Sequence, residues 1–84
     1  MAKVLFFGRL RDQAGVAEKL VGLGRATEIA EFRRLVAAGD DKLEAALAAP
    51  SVRIAVNARL APVATACCIS PGDEVAFMPP FSGG

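Results

Sequence analysis

The chain has 84 residues, of which 54% are hydrophobic and 23% are charged, and its formal net charge is +1. This length suits one small domain, and so small a net charge argues against nucleic acid or an anionic membrane surface as a partner. No apolar run approaches the roughly 20 residues that cross a bilayer. A strand-like pattern begins almost at the first residue with no secretory leader before it, so we expect a cytoplasmic protein.

The inventory of reactive side chains is poor. There is no histidine, which removes the most common general base and metal ligand. The two cysteines, Cys67 and Cys68, are adjacent and cannot complete a tetrahedral zinc site by themselves. We therefore expect no metal and no self-sufficient catalytic centre, and we interpret the cysteines as one small buried hydrophobe and one partly exposed thiol.

The first strand is predicted at residues 3–7, which are apolar on both alternating faces. This pattern is typical of a central strand, or of one whose second face meets a partner. Phe6 and Phe7 lie on opposite faces, so one belongs to the core and the other either to the core or to an interface. Residues 9–14 predict a short helical turn anchored by Leu10, and residues 17–23 an edge strand.

Two helices are predicted in the middle of the chain. Thr27 is the expected N-cap of the first, and Gly39 its stop. Its inward stripe should consist of Ile29, Phe32 and Val36, widened by Leu35. The second helix is expected to start at Asp40-Asp41, with a capping box formed by Asp41 and Glu44, and to end before Pro50.

The last third of the chain reads as strands and turns. Residues 52–57 alternate between apolar and polar side chains, as in a half-buried strand, and residues 60–63 predict a short strand cut by Pro62. A turn is expected at residues 71–73 and a final strand at 74–78. This order predicts an α+β domain, a mixed sheet packed on one face by a helix, with the first and last strands parallel at its centre.

After the last strand, the chain ends with Pro79, Pro80, Phe81, Ser82, Gly83 and Gly84. Glycines lack side chains, so such an end can enter a narrow cavity in another protein, and the prolines favour an extended start. A carboxylate is a poor electrophile, so its use as a reactant requires activation by a partner, for example as an acyl-adenylate made from ATP. We predict a domain over residues 1–78 and an extended tail over 79–84. The alternative is an interaction module with an inert end.

Two motifs at the ends of the chain resemble one family. Residues 3–11 (KVLFFGRLR), residues 56–57 and especially residues 71–84 (PGDEVAFMPPFSGG) resemble the small, sulfur-carrying subunits of molybdopterin synthase, whereas residues 16–49 match only in pattern. The resemblance implies a ubiquitin-like β-grasp fold. It also implies a heterotetramer of two small and two large subunits.

The resemblance further implies a reaction cycle for the tail. An adenylating partner would activate the carboxylate of Gly84 with ATP, and sulfur would then convert it to a thiocarboxylate. The tail would enter the large subunit, where sulfur is donated to cyclic pyranopterin monophosphate during molybdenum cofactor synthesis. Gly84 would carry the sulfur and Gly83 would form a slim neck behind it. Catalysis would come from the partner, and no cofactor would bind to this chain.

Exposure adds four candidate partner contacts to these residues: Phe7, Met78, Pro80 and Phe81. Two related functions stay open at this point. The chain could carry sulfur for thiamine or another sulfur-containing metabolite, or it could be a ubiquitin-like modifier joined through Gly84 to lysines of target proteins. The length of the two predicted helices favours the molybdopterin branch.

Overall fold

The computed structural model describes residues 1–61 and 68–79. Along the chain the elements are β1 (Ala2–Phe6), α1 (Arg9–Ala14), β2 (Glu18–Val21), β3 (Thr27–Glu28), α2 (Ile29–Ala37), α3 (Asp41–Leu47), β4 (Arg53–Val56), β5 (Arg59–Ala61), β6 (Cys68–Ile69) and β7 (Glu74–Met78). Five strands form the main sheet in the order β2-β1-β7-β4-β5, while β3 and β6 pair separately.

The centre of the main sheet is a parallel pair, β1 with β7, in which Val4 lies opposite Val75 and Phe6 opposite Phe77. β2 joins β1 and β4 joins β7, both antiparallel. A parallel pair needs a long crossover, and the chain between β1 and β7 supplies it. The predicted mixed sheet with its central parallel pair is confirmed, and the strand order is that of the expected β-grasp fold.

One face of the sheet forms the hydrophobic core with the helices. The rings of Phe6 and Phe77 stack with centroids 6.2 Å apart. From α2, Phe32 and Val36 are completely buried, as their spacing predicts. The other buried core residues are Ala2, Val4, Leu10, Val21, Ala37, Leu43, Leu47, Val52, Ile54, Ile69 and Val75. No helix within residues 1–61 and 68–79 is long and apolar enough to cross a membrane.

The predicted N-cap of each helix is wrong by one residue, although α3 begins where it was expected. Thr27 lies in β3, where its hydroxyl donates to the carbonyl of Arg25 at 3.0 Å, and α2 begins after Glu28 without a side-chain cap. α3 is capped by Asp40, not Asp41, because the Asp40 carboxylate accepts the amide of Leu43 at 3.0 Å. Leu35 does not widen the buried stripe, since 40% of it is exposed.

A small second sheet was not expected from the sequence. β3 and β6 pair over two residues each, with Thr27 opposite Ile69. Ile69 is completely buried, so this sheet closes the end of the core next to α2. Cys68 is exposed, and Cys67 and Pro62 lie outside the described residues.

The end of the sheet where β7 begins is held by polar contacts. The Asp73 carboxylate accepts the Ser70 amide at 2.8 Å and the Asn57 side-chain amide at 3.0 Å. Asn57 in turn accepts the Glu74 amide at 3.0 Å. The Ser70 amide first, and Asn57 second, hold the pKa of Asp73 below its usual value, since both donate to the charged form. We call Asn57, Ser70 and Asp73 the polar clasp.

Candidate functional site

The second face of the main sheet carries apolar side chains that no described helix covers. Side chains alternate along strands, so the residues between the core positions point to this side. They line a shallow groove of about 390 Å³ formed by Leu5, Phe7, Ala55, Ala58, Leu60, Glu74, Ala76 and Met78. Phe7 is 48% exposed and Leu60 is 65% exposed. An exposed, mostly apolar groove of this kind is a candidate interaction site, and we call it the outer groove.

The structure brings Phe7 and Met78, two of the predicted partner contacts, together on this groove. Sequence reasoning did not single out Leu5 and Leu60. The signal for Leu5 was present, because it alternates with Val4 and Phe6 on a strand that is apolar on both faces. Leu60 pairs with Ala55 across the β4–β5 hairpin, and that register cannot be read from so short a strand.

Charged residues lie on the strands that form the outer groove and next to its apolar side chains. Lys3 and Glu18 form an ion pair at 3.3 Å between β1 and β2. Arg53 is exposed and lies opposite Met78 in the β4–β7 register, and Glu74 lies at the other end of β7. An apolar centre with a charged rim is the usual anatomy of a protein–protein interface.

The outer groove ends where the C-terminal residues leave the sheet. Phe7 donates its amide to the carbonyl of Phe77 at 3.1 Å, so the parallel pair extends to its last residues. Pro79 follows Met78 directly and is half-buried. Its ring lines a small cavity of about 200 Å³ that also includes Leu10 and Val52. Whatever follows Pro79 therefore starts at the edge of the groove.

The four remaining predicted site residues, Pro80, Phe81, Gly83 and Gly84, lie outside the described residues, so their roles stay predictions. Within residues 1–61 and 68–79, no group of three histidine, cysteine, aspartate or glutamate side chains could hold a metal ion. What the described part of the chain offers is a candidate docking surface next to Pro79, where the predicted tail would start.

Comparisons with known proteins agree with this picture. The chain is 37% identical to the molybdopterin synthase sulfur carrier subunits of Haemophilus influenzae and of Escherichia coli, and each alignment covers 100% of both chains. Among solved structures it resembles SAMP1 from Haloferax volcanii, with a TM-score of 0.78 over 99% of this chain and 98% of that chain. At 21% identity, that second likeness shows the fold alone.

The pattern of the ThiS family matches residues 4–84. This match includes both the β-grasp body and the Gly-Gly end, so it covers the outer groove and the tail together. The chain belongs to the ThiS family.

Proposed function

We propose that this protein is the sulfur carrier of a molybdopterin synthase and acts in molybdenum cofactor biosynthesis. The observation that carries the proposal is the end-to-end match to two sulfur carrier subunits of that synthase. The structure supports it by placing an uncovered apolar groove beside the point where the tail begins. Of the functions that the sequence left open, this is the one that both relatives carry.

The outer groove would receive the large subunit of the synthase. Phe7, Leu60 and Met78 supply the apolar contact area, and aromatic side chains in such positions commonly dominate binding energy. Docking there would bring the base of the tail to the partner's surface. From Pro79, the five residues to Gly84 reach at most about 17 Å, which is enough to enter a cavity in the partner.

The chemistry would take place at Gly84, away from the body of the domain. In an adenylating partner, a carboxylate oxygen of Gly84 attacks the α-phosphorus of ATP and pyrophosphate leaves. Sulfide then attacks the acyl carbon and AMP leaves, which produces the thiocarboxylate. Gly83 leaves room around this group because it has no side chain. The described residues take no part in these steps except by docking.

Mass analysis of the intact chain tests the proposal. After incubation with ATP, an adenylating enzyme and sulfide, we expect a species heavier by one sulfur-for-oxygen exchange, located at Gly84 by fragmentation. A chain that lacks Gly84 is the control and should gain no sulfur. An unchanged mass with an enzyme that is active on the Escherichia coli carrier would contradict the proposal.

The acceptor is tested separately with the thiocarboxylated chain. We expect sulfur to appear in molybdopterin when the large synthase subunit and cyclic pyranopterin monophosphate are added. Transfer to a thiazole-forming enzyme instead would assign the chain to thiamine synthesis, and conjugates with protein lysines would identify a modifier. Either result would overturn the assignment to molybdopterin.

A further inference from the structure

Gly8 and Pro79 lie in unusually close contact. An ideal Cβ built on Gly8 would lie 2.7 Å from Cγ and 3.4 Å from Cδ of Pro79. None of the other glycines that the structure describes has a neighbouring atom within 4 Å of its built Cβ. A separation below 3.0 Å is a clash, so an L-residue with a side chain at position 8 would displace Pro79.

The backbone conformation of Gly8 also favours glycine, independently of the contact with Pro79. Its φ is +58° and its ψ is −134°, a combination that L-residues with side chains avoid and glycine adopts freely. This turn directs the chain from the end of β1 into α1, where the Gly8 carbonyl accepts the Arg11 amide at 3.1 Å. The turn therefore leaves a space next to β7, and the ring of Pro79 occupies this space.

Fixing the Pro79 ring also fixes the direction of the chain that follows. The ring locks φ of Pro79, and the following Pro80 restricts its ψ to extended values. The starting direction of the tail is therefore set by where the ring sits. A change of about 10° at this base would move the end of a 17 Å extension by about 3 Å.

We propose that Gly8 is a positioning residue for sulfur transfer, because its missing side chain seats Pro79 and so directs the tail toward the partner cavity. This inference rests on the proposed carrier function. Errors of about 1 Å in the placement of reacting groups can lower rates by up to about a hundredfold. We expect a smaller loss here, because one added methyl group displaces only the base of the tail.

The test combines Gly8→Ala, Pro79→Ala and the double variant, each prepared as the thiocarboxylate and mixed with the large synthase subunit of the same organism. We expect each single change to lower kcat/KM for sulfur transfer about tenfold. The double variant should lose little more than either single one, because both changes disrupt the same contact. Pro79→Ala should leave the free energy of unfolding nearly unchanged, since it introduces no strained backbone.

A chain without the tail shows whether Gly8 acts by directing the tail or only by supporting the fold. In a chain that ends after Pro79, verified by its unfolding curve, Gly8→Ala should change the affinity for the large subunit less than twofold. In the full chain it should weaken that affinity about tenfold. A chemically synthesised chain with D-alanine at position 8 is the matched control. It accepts the positive φ and carries its methyl on the opposite side of Cα from an L-alanine methyl, so it should transfer sulfur at the normal rate.

Three results would overturn the inference: a normal kcat/KM for Pro79→Ala, an equal affinity loss with and without the tail, or multiplicative losses in the double variant. Pro79→Ala decides the matter even if Gly8→Ala fails to fold. Failure of the carrier function itself looks different, because then the unaltered chain would transfer no sulfur. The affinity comparison in the full and tail-free chains would still judge the role of Gly8.

Discussion

Phe6 and Phe7 are neighbours in sequence, yet the two faces of the sheet give them opposite roles. Phe6 is 2% exposed and stacks on Phe77 in the core, whereas Phe7 is 48% exposed on the outer groove. A soluble domain gains stability by burying apolar side chains. The inner face does this fully, while the outer face keeps comparable side chains in contact with water. This difference is what we expect of a face that a partner covers, as proposed above.

The largest effect is expected on the inner face. Phe6→Ala should lower the free energy of unfolding by about 3–5 kcal/mol, because it removes a buried ring and leaves a cavity beside Phe77. Small domains have about 5–15 kcal/mol in total, so a large part of the stability would be lost. Urea denaturation followed by circular dichroism measures the change. A loss below about 1 kcal/mol would mean that the core is not organised around this pair.

The matched change on the outer face should separate binding from stability. Phe7→Ala should alter the free energy of unfolding by less than about 1 kcal/mol, since the ring is already half in water. It should weaken binding to the large subunit at least about tenfold, or roughly 1.4 kcal/mol. Isothermal calorimetry gives the dissociation constant. Unchanged affinity would remove the groove from the interface.

A substitution in the polar clasp should lower the free energy of unfolding and should not change the affinity for the large subunit. Asp73→Asn removes a charged acceptor of two hydrogen bonds and should cost about 1 kcal/mol at neutral pH. The clasp holds the pKa of Asp73 low in the folded state. The native Asp73 therefore contributes stability above its unfolded pKa, and this contribution is lost as pH falls through the folded pKa. Between pH 7 and about pH 3, the free energy of unfolding should fall more for the native chain than for Asp73→Asn. Equal falls in the two proteins would contradict this.

The smallest effect concerns two exposed leucines on the same face. Leu60 lines the outer groove, whereas Leu20, 61% exposed, lies on the edge strand β2 and does not line it. Leu60→Ala should weaken the affinity for the large subunit several-fold, and Leu20→Ala should not change it, as contacts outside the buried centre contribute little. Equal effects would show that the interface extends across β2.

Strong local patterns made most of this fold predictable. β1 and β7 are apolar on both alternating faces, which is the pattern of central strands, and their parallel pairing followed from the crossover between them. The stripe of Phe32 and Val36 identified the buried side of α2. The outer groove was predicted only in part, through Phe7 and Met78, because partner contacts follow from exposure and exposure requires the register of all five strands.

Elements without such patterns were missed or misplaced. β3 and β6 have two residues each, too few to show alternation, so Ile69 gave no sign that it is buried. Asp40 and Asp41 are equally good capping residues, and only the backbone decides between them. The contact between Gly8 and Pro79 joins opposite ends of the chain, and no local sequence pattern predicts such a contact.

The central place of β7 has a consequence for how the protein is made. Nearly the whole chain leaves the ribosome before β7 does, so the nascent sheet lacks its middle strand until the end of synthesis. Ala76 and Met78 of the outer groove lie on that same strand, and the tail continues from it. A translation product interrupted before β7 has an incomplete docking surface and no tail. It therefore cannot act as a decoy that occupies the partner without delivering sulfur.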